Sequence, residues 1–217
     1  MAPGSRLLEV HQAIAAAAAV AKRDPAEITL IAVSKGRPAE QIEPLLAAGH
    51  RDFGENRVQE ALAKWPPLLA RYPDVRLHEI GRLQSNKAVE AAGLFSAIHS
   101  LDRDSLLDSL VSAATDAGRA PSVFVQVNIG EEDQKGGCPI GSVGDFLARV
   151  RNSPLPLAGL MAIPPLGVEP GPFFALLADL ARRHGVTGLS MGMSADYRAA
   201  VMLGATHVRI GTALFED

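Results

Sequence analysis

Lys35 closes an apolar run, Leu30-Ile31-Ala32-Val33-Ser34, and Gly36 follows it at once. A lysine at the mouth of a buried strand either snorkels to solvent or is held for chemistry. The chemistry that suits a primary amine is Schiff-base formation with a carbonyl. Near the other end of the chain stand two loops of similar make-up, Ser190-Met191-Gly192-Met193-Ser194 and Arg209-Ile210-Gly211-Thr212. Glycine and hydroxyl residues in such loops expose backbone N–H and O–H donors, which is how a phosphate is cradled. Each feature alone is ambiguous, since Ser194 also reads as an N-cap for the helix bearing Asp196 and Gly211 as a turn. Brought together, the amine and the anion seat would suit a ligand carrying both an aldehyde and a phosphate.

Bringing them together is a matter of fold. Short runs rich in β-branched residues read as strands buried on both faces, as in parallel sheets. Such runs fall at 30–35, 51–54, 75–80, 94–99, 122–128, 157–163, 188–191 and 207–210. Helical patterns alternate with them. One begins at Pro38 and carries Ile42, Leu45 and Leu46. Another runs through Val58, Leu62 and Trp65, and Pro66-Pro67 is expected to end it. Evenly spaced βα units in this number predict a TIM (β/α)8 barrel forming a single domain over 1–217. The eighth helix is truncated, and an amphipathic N-terminal helix with Leu7, Val10 and Ile14, capped by Ser5, is expected to help cover the barrel. Active sites of such barrels lie at the C-terminal ends of the strands. That places Lys35, Asn56, His78, His99, Asn128, Met161, Ser190 and Arg209 around one mouth, and closure sets strand 8 beside strand 1.

Composition removes several classes of function. The 217 residues are 47% hydrophobic, enough for one sizeable core, and 21 Lys and Arg against 24 Asp and Glu give a net charge of -3 without long runs of one sign. Nucleic acid is therefore not an expected partner. The one cysteine, Cys138, allows neither an intrachain disulfide nor a cysteine-rich metal cluster. No metal site is expected either: His78 and His99 lie on different strands without a third ligand, and read as satisfied imidazoles near the rim. No apolar run reaches the length of a membrane span, so the expectation is a soluble, cytoplasmic protein without membrane contact.

Among phosphorylated aldehydes, pyridoxal 5'-phosphate (PLP) fits the amine and anion seat. The motifs around them carry a resemblance. Ala32-Val33-Ser34-Lys35, Phe53-Gly54-Glu55-Asn56-Arg57-Val58-Gln59-Glu60, His78-Glu79-Ile80-Gly81-Arg82-Leu83-Gln84-Ser85-Asn86-Lys87, Leu189-Ser190-Met191-Gly192-Met193-Ser194 and Val208-Arg209-Ile210-Gly211-Thr212 resemble, in order, those of the PLP homeostasis protein family. These proteins are similar to the barrel half of fold type III PLP enzymes such as alanine racemase. The resemblance implies that Lys35 holds PLP as a Schiff base and that Ser190, Gly211 and Thr212 hold its phosphate. It further implies that Asn56 lies on the 3-hydroxyl side of the ring and that Arg209 faces the pyridine nitrogen. Met191 is counted with the cofactor contacts, although methionine at such a place also serves for packing. A role in vitamin B6 homeostasis and amino-acid balance follows, with PLP-dependent apoenzymes as partners and a monomer or weak dimer as the assembly.

The chain departs from the family pattern in two places. Relatives continue past the Phe of the last motif with Gly and Arg, where this chain has Glu216 and Asp217, and the loop Gly130 to Gly137 matches loosely around Lys135-Gly136. Two other functions remain open: a weak PLP-dependent amino-acid racemase, and a Schiff-base aldolase acting on a phosphorylated sugar. The racemase needs a second acid/base opposite the lysine. The two tyrosines, Tyr72 and Tyr197, are expected on helices outside the mouth.

Overall fold

The computed structural model describes residues 3–215 and contains a closed barrel of eight strands in chain order: β1 (Thr29–Val33), β2 (Asp52–Glu55), β3 (Arg76–Glu79), β4 (Ala97–Leu101), β5 (Ser122–Gln126), β6 (Leu157–Met161), β7 (Gly188–Ser190) and β8 (His207–Ile210). All neighbours are parallel, and β8 closes onto β1 with Ile31 opposite Arg209. The helices are α1 (Pro3–Val20), α2 (Ala39–Ala47), α3 (Val58–Arg71), α4 (Ala88–Leu94), α5 (Asp104–Ala117), α6 (Val143–Arg151), α7 (Gly171–Arg183), α8 (Tyr197–Met202) and a final turn, α9 (Thr212–Phe215). The expected TIM barrel is the fold, and α1 does cover it, packing on α2, α8 and α9.

Strand alternation separates two cores. Leu30, Ala32, Phe53, Leu77, Ile98 and Leu160 face outward and join the inner faces of the helices in one apolar shell. Residues of the opposite parity fill the barrel, and there the filling is unusually polar: His78, His99, Ser190 and Arg209 are buried with Ile31, Phe124 and Met161. Space for the rings comes from glycines. A Cβ on Gly159 would lie 2.2 Å from the Gly188 carbonyl oxygen and 2.7 Å from the Phe124 ring, so β6 and β7 approach more closely than any side chain permits.

Three expectations are corrected. Pro66 and Pro67 do not end α3 but lie within it. The carbonyls they leave without donors, those of Leu62 and Ala63, sit on its exposed face, while buried Trp65 and Leu68 hold the helix against the barrel through the proline pair. Ser5 is not a cap, because α1 is already under way at Pro3. The strand expected at 94–99 starts later, at Ala97, because Leu94 belongs to α4, whose end the Phe95 N–H caps by bonding to Ala91. Glu216 and Asp217 lie outside the described residues. Among the described residues, no helix is long and apolar enough to cross a membrane.

Candidate functional site

A cavity of about 470 Å³ opens at the C-terminal end of the barrel, bordered by Lys35, Asn56, Ser194, Arg209, Gly211 and Thr212. Its size is that of a small-molecule site. Lys35 follows β1 by one turn of backbone, its side chain exposed, and among the described residues nothing accepts a hydrogen bond from its ammonium. The loop carrying it is fixed from outside the barrel by α3. Lys64 Nζ donates to the carbonyls of Ser34 (2.8 Å) and Arg37 (3.1 Å), and Glu60 accepts from the Gly36 N–H at 2.6 Å. Gly36 takes a φ of +67°, a conformation costly for a side chain. Burial opposes ionisation of Glu60, but the Gly36 N–H and Lys64 outweigh it and hold the carboxyl below its ordinary value. Behind this clamp, buried Glu55 receives Lys64 at 2.8 Å, Ser34 at 2.6 Å and the Trp65 indole N–H at 3.0 Å. The Lys35 amine is thus left without a hydrogen-bond acceptor among the described residues, while the backbone around it is held at several points.

Arg209 forms the floor. It is 4% exposed, donates to Ser190 Oγ at 2.6 Å and to the Ala162 carbonyl at 3.1 Å, and burial lowers its pKa to about 10, which leaves it cationic at neutral pH. Below it a file of side chains runs down the barrel. Ser190 Oγ meets His99 Nδ1 at 2.8 Å, His99 Nε2 meets His78 Nδ1 at 3.0 Å, and His78 Nε2 meets Asp52 Oδ1 at 3.1 Å. Asp52 is in turn paired with Arg76 at 2.5 Å. Burial, reinforced by the charges of His78, His207 and Arg209, drives the pKa of His99 far below the ordinary value, so this imidazole is neutral. Since guanidinium only donates, Ser190 accepts from Arg209 and donates to His99. His99 then donates to His78, and His78 to the carboxylate. Every link is satisfied in that one direction. His99 also stacks on Phe124, with ring centroids 4.2 Å apart.

The two glycine loops meet as expected, though through different atoms. Ser194 is not the cap of α8: its hydroxyl accepts from the Gly211 N–H at 3.3 Å and ties the loop after β7 to the loop after β8, while Asp196 accepts from the Met193 N–H at 2.6 Å. Gly192 sits at φ +94°, and a Cβ there would fall 2.5 Å from that of Ala200, so the turn and the approach of α8 both require glycine. Lys35, Asn56, Arg209, Gly211 and Thr212 come together on the cavity wall, whereas Ser190 and Met191 do not line it. Ser190 points into the barrel toward His99, and Met191, of opposite parity, lies buried in the outer apolar shell. Met193 and Ser194 occupy the wall instead. His78 and His99 were expected at the rim. They are satisfied, but inside the barrel, because each lies within its strand rather than at its end. Among the described residues no group of three or more His, Cys, Asp or Glu side chains could hold a metal.

Beside this cavity, and sharing Asn56 and Gly81 with it, lies a second one of about 630 Å³ over the ends of β2 and β3. Glu79 lies at its base, 1% exposed, its Oε1 accepting from the Gly81 N–H at 2.9 Å and its Oε2 without a partner. Burial raises its pKa to about 8; the Gly81 hydrogen bond opposes that rise and the Glu55 charge adds to it.

Comparison with known proteins agrees with this geometry. Residues 9–217 match the family described as alanine racemase, N-terminal domain. The pyridoxal phosphate homeostasis protein of Pseudomonas aeruginosa is 44% identical, with 96% of this chain and 93% of that protein covered. Its counterpart in Escherichia coli is 37% identical, with 96% and 94% covered. PipY of Synechococcus elongatus PCC7942 superposes with a TM-score of 0.84 without PLP (38% identity, 98% of this chain and 99% of that one) and 0.80 with PLP bound (40%, 93% and 99%). By its barrel, its lysine and these near full-length matches, the chain belongs to the alanine racemase N-terminal domain family and, within it, to the pyridoxal phosphate homeostasis proteins.

Proposed function

We propose that the protein binds PLP at the barrel mouth, as a Schiff base on Lys35, and thereby maintains the supply of the cofactor and amino-acid balance. The observation that carries this is the pairing, across one cavity, of an amine without a partner and the linked Ser194–Gly211 loops beside Thr212. The residues fit the group. The loops would offer N–H and O–H donors to its phosphate, and Asn56, also on the cavity wall, would take the 3-hydroxyl side of the ring, while Ser190 would act only through Arg209, to which its hydroxyl is bonded. Buried Arg209, on the cavity floor, would stand toward the pyridine nitrogen. When bound, PLP supplies a carbonyl for amines and a ring that can withdraw electrons. A permanently charged guanidinium beside the nitrogen disfavours its protonation and so weakens that withdrawal. Tyr197 is packed on α8, Tyr72 closes α3, and neither borders the cavity, so no tyrosine stands ready as a second acid/base. Storage and delivery to PLP-dependent apoenzymes therefore suit the site better than carbanion chemistry.

The test is borohydride reduction of the protein loaded with PLP, followed by mass analysis of its peptides. The expected product is one phosphopyridoxyl group on Lys35 and none in Lys35→Ala. Label confined to other lysines would overturn the assignment. Cleavage of a sugar phosphate by colourless protein would replace it with the aldolase reading, and deuterium incorporation at Cα of L-alanine with appearance of D-alanine would replace it with the racemase reading.

A further inference from the structure

The cavity beside the cofactor site is built for an anion. Arg57, Arg82, Lys87 and Arg103 all border it, from the start of α3, the end of β3, the turn before α4 and the end of β4. Two of these cations are compensated: Lys87 pairs with Glu90 at 3.0 Å and Arg103 with Asp102 at 2.7 Å. Arg57 and Arg82 have neither a hydrogen bond nor a carboxylate within ion-pair distance among the described residues, and both are exposed. Glu60, whose field reaches Arg57, is itself engaged by Lys64 and the Gly36 N–H. Two uncompensated guanidinium forks over one cleft match the charge of a phosphate monoester dianion and the geometry of its oxygens. A second, independent feature agrees. The Glu79 carboxyl borders the cleft from beneath, buried and with one oxygen lacking any partner, and so belongs to a polar floor under the two guanidinium groups.

We propose that this cleft is a second binding site, for the phosphate group of a small phosphate monoester, and that under the function proposed above its occupant is a further molecule of a phosphorylated B6 compound next to the one on Lys35. At neutral pH Glu79 is a neutral acid, because burial keeps it protonated up to about 8, so no carboxylate charge beneath the cleft repels an anion there. The shared wall of Asn56 and Gly81 makes the two sites neighbours without making them one: a Cβ on Gly81 would fall 2.3 Å from the Asn56 carbonyl oxygen, so the partition is close-packed backbone.

The probe is pyridoxamine 5'-phosphate, which has the phosphate but no aldehyde and cannot form an imine with any lysine. It is titrated by calorimetry into protein whose Lys35 site has first been filled with PLP and fixed with borohydride. One equivalent is expected to bind, pyridoxamine without phosphate is expected not to bind, and Arg57→Gln with Arg82→Gln is expected to raise Kd by about tenfold or more. Phenyl phosphate separates the sources: equal affinity makes the site one for phosphate monoesters in general, weaker binding makes it one for the B6 ring as well. Fixation of PLP on Lys35 in the double variant serves as the control that the first site and the fold are intact. Absence of binding to the fixed protein, or unchanged affinity in the double variant, overturns the proposal. Failure of borohydride to label Lys35 would instead strike the proposed function, and the dependence on Arg57 and Arg82 would then be read on the untreated protein.

Discussion

Glu79→Gln isolates the energetic cost of one buried acid. In the folded protein the Glu79 carboxyl is held protonated up to about 8, chiefly by burial, against an ordinary value of 4.5 once the chain unfolds. Between those values the folded state keeps a proton that the unfolded chain has released, so raising the pH favours unfolding. The dependence appears above the unfolded value and levels off beyond the folded one. From near pH 5.5 to near pH 8.5 the integrated loss is about 3 kcal/mol for this group alone, a substantial part of an ordinary folding stability. Glutamine keeps the acceptor for the Gly81 N–H but cannot ionise. Its amide gains no acceptor where Oε2 stood, so the variant starts about 1–3 kcal/mol lower at the acid end. The informative quantity is therefore the slope. Urea unfolding of the cofactor-free protein at both pH values is expected to show the parent losing more stability than Glu79→Gln by about 3 kcal/mol. The imidazoles titrate in both proteins and cancel. Equal losses in parent and variant would show that Glu79 ionises normally in the folded state, and the account of its burial would fail.

Three further outcomes follow from the packing. Lys64→Met removes the cation from the Glu55 pair while Ser34 and Trp65 remain, and is expected to cost about 3 kcal/mol in urea unfolding; a loss under 1 kcal/mol would mean the pair is not buried as described. His50 and His207 are both lowered to about 4, mainly by burial, so the unfolded chain takes up protons first and stability is expected to fall as the pH drops from 6.5 toward 4. A His50→Phe, His207→Phe double variant that declines as steeply as the parent over that range would refute this. Gly159→Ala forces a methyl onto the Gly188 carbonyl and is expected to abolish cooperative thermal unfolding or destabilise by more than about 3 kcal/mol.

Much of the barrel was legible because parallel strands announce themselves as apolar runs, and because closure alone brings residue 35 beside the loop at 211. Parity at a strand end was not. The expected strand reached Met191 while β7 stops at Ser190, and once the chain leaves the ladder, sequence alternation no longer says which side chain meets the cavity. Ser190 and Met191 therefore read as wall residues, and Met193 and Ser194 took their place. The histidine file was hidden for a different reason. Its members lie on β2, β3, β4 and β7, so no local spacing links them, and polar residues inside a strand resemble residues at its rim. The clamp on the lysine loop could be half seen: Glu60 and Lys64 stand at helical i,i+4 spacing, which reads as an ordinary surface pair. Only the packing of α3 on β2, next to the loop that follows β1, turns their free hydrogen-bonding capacity toward Ser34, Gly36 and Arg37.

The file from Arg209 to Asp52 carries one further implication. Because each member answers its neighbour with the complementary half of a hydrogen bond, exchanging any single one for an apolar residue would orphan groups on both sides of the change. A redesigned core would have to replace the whole column at once. Arg76 and Asp52, at the base of the molecule, thereby share in setting how the guanidinium at its top is held, and a search for substitutions that retune the cavity at the barrel mouth has reason to begin at the opposite end of the barrel.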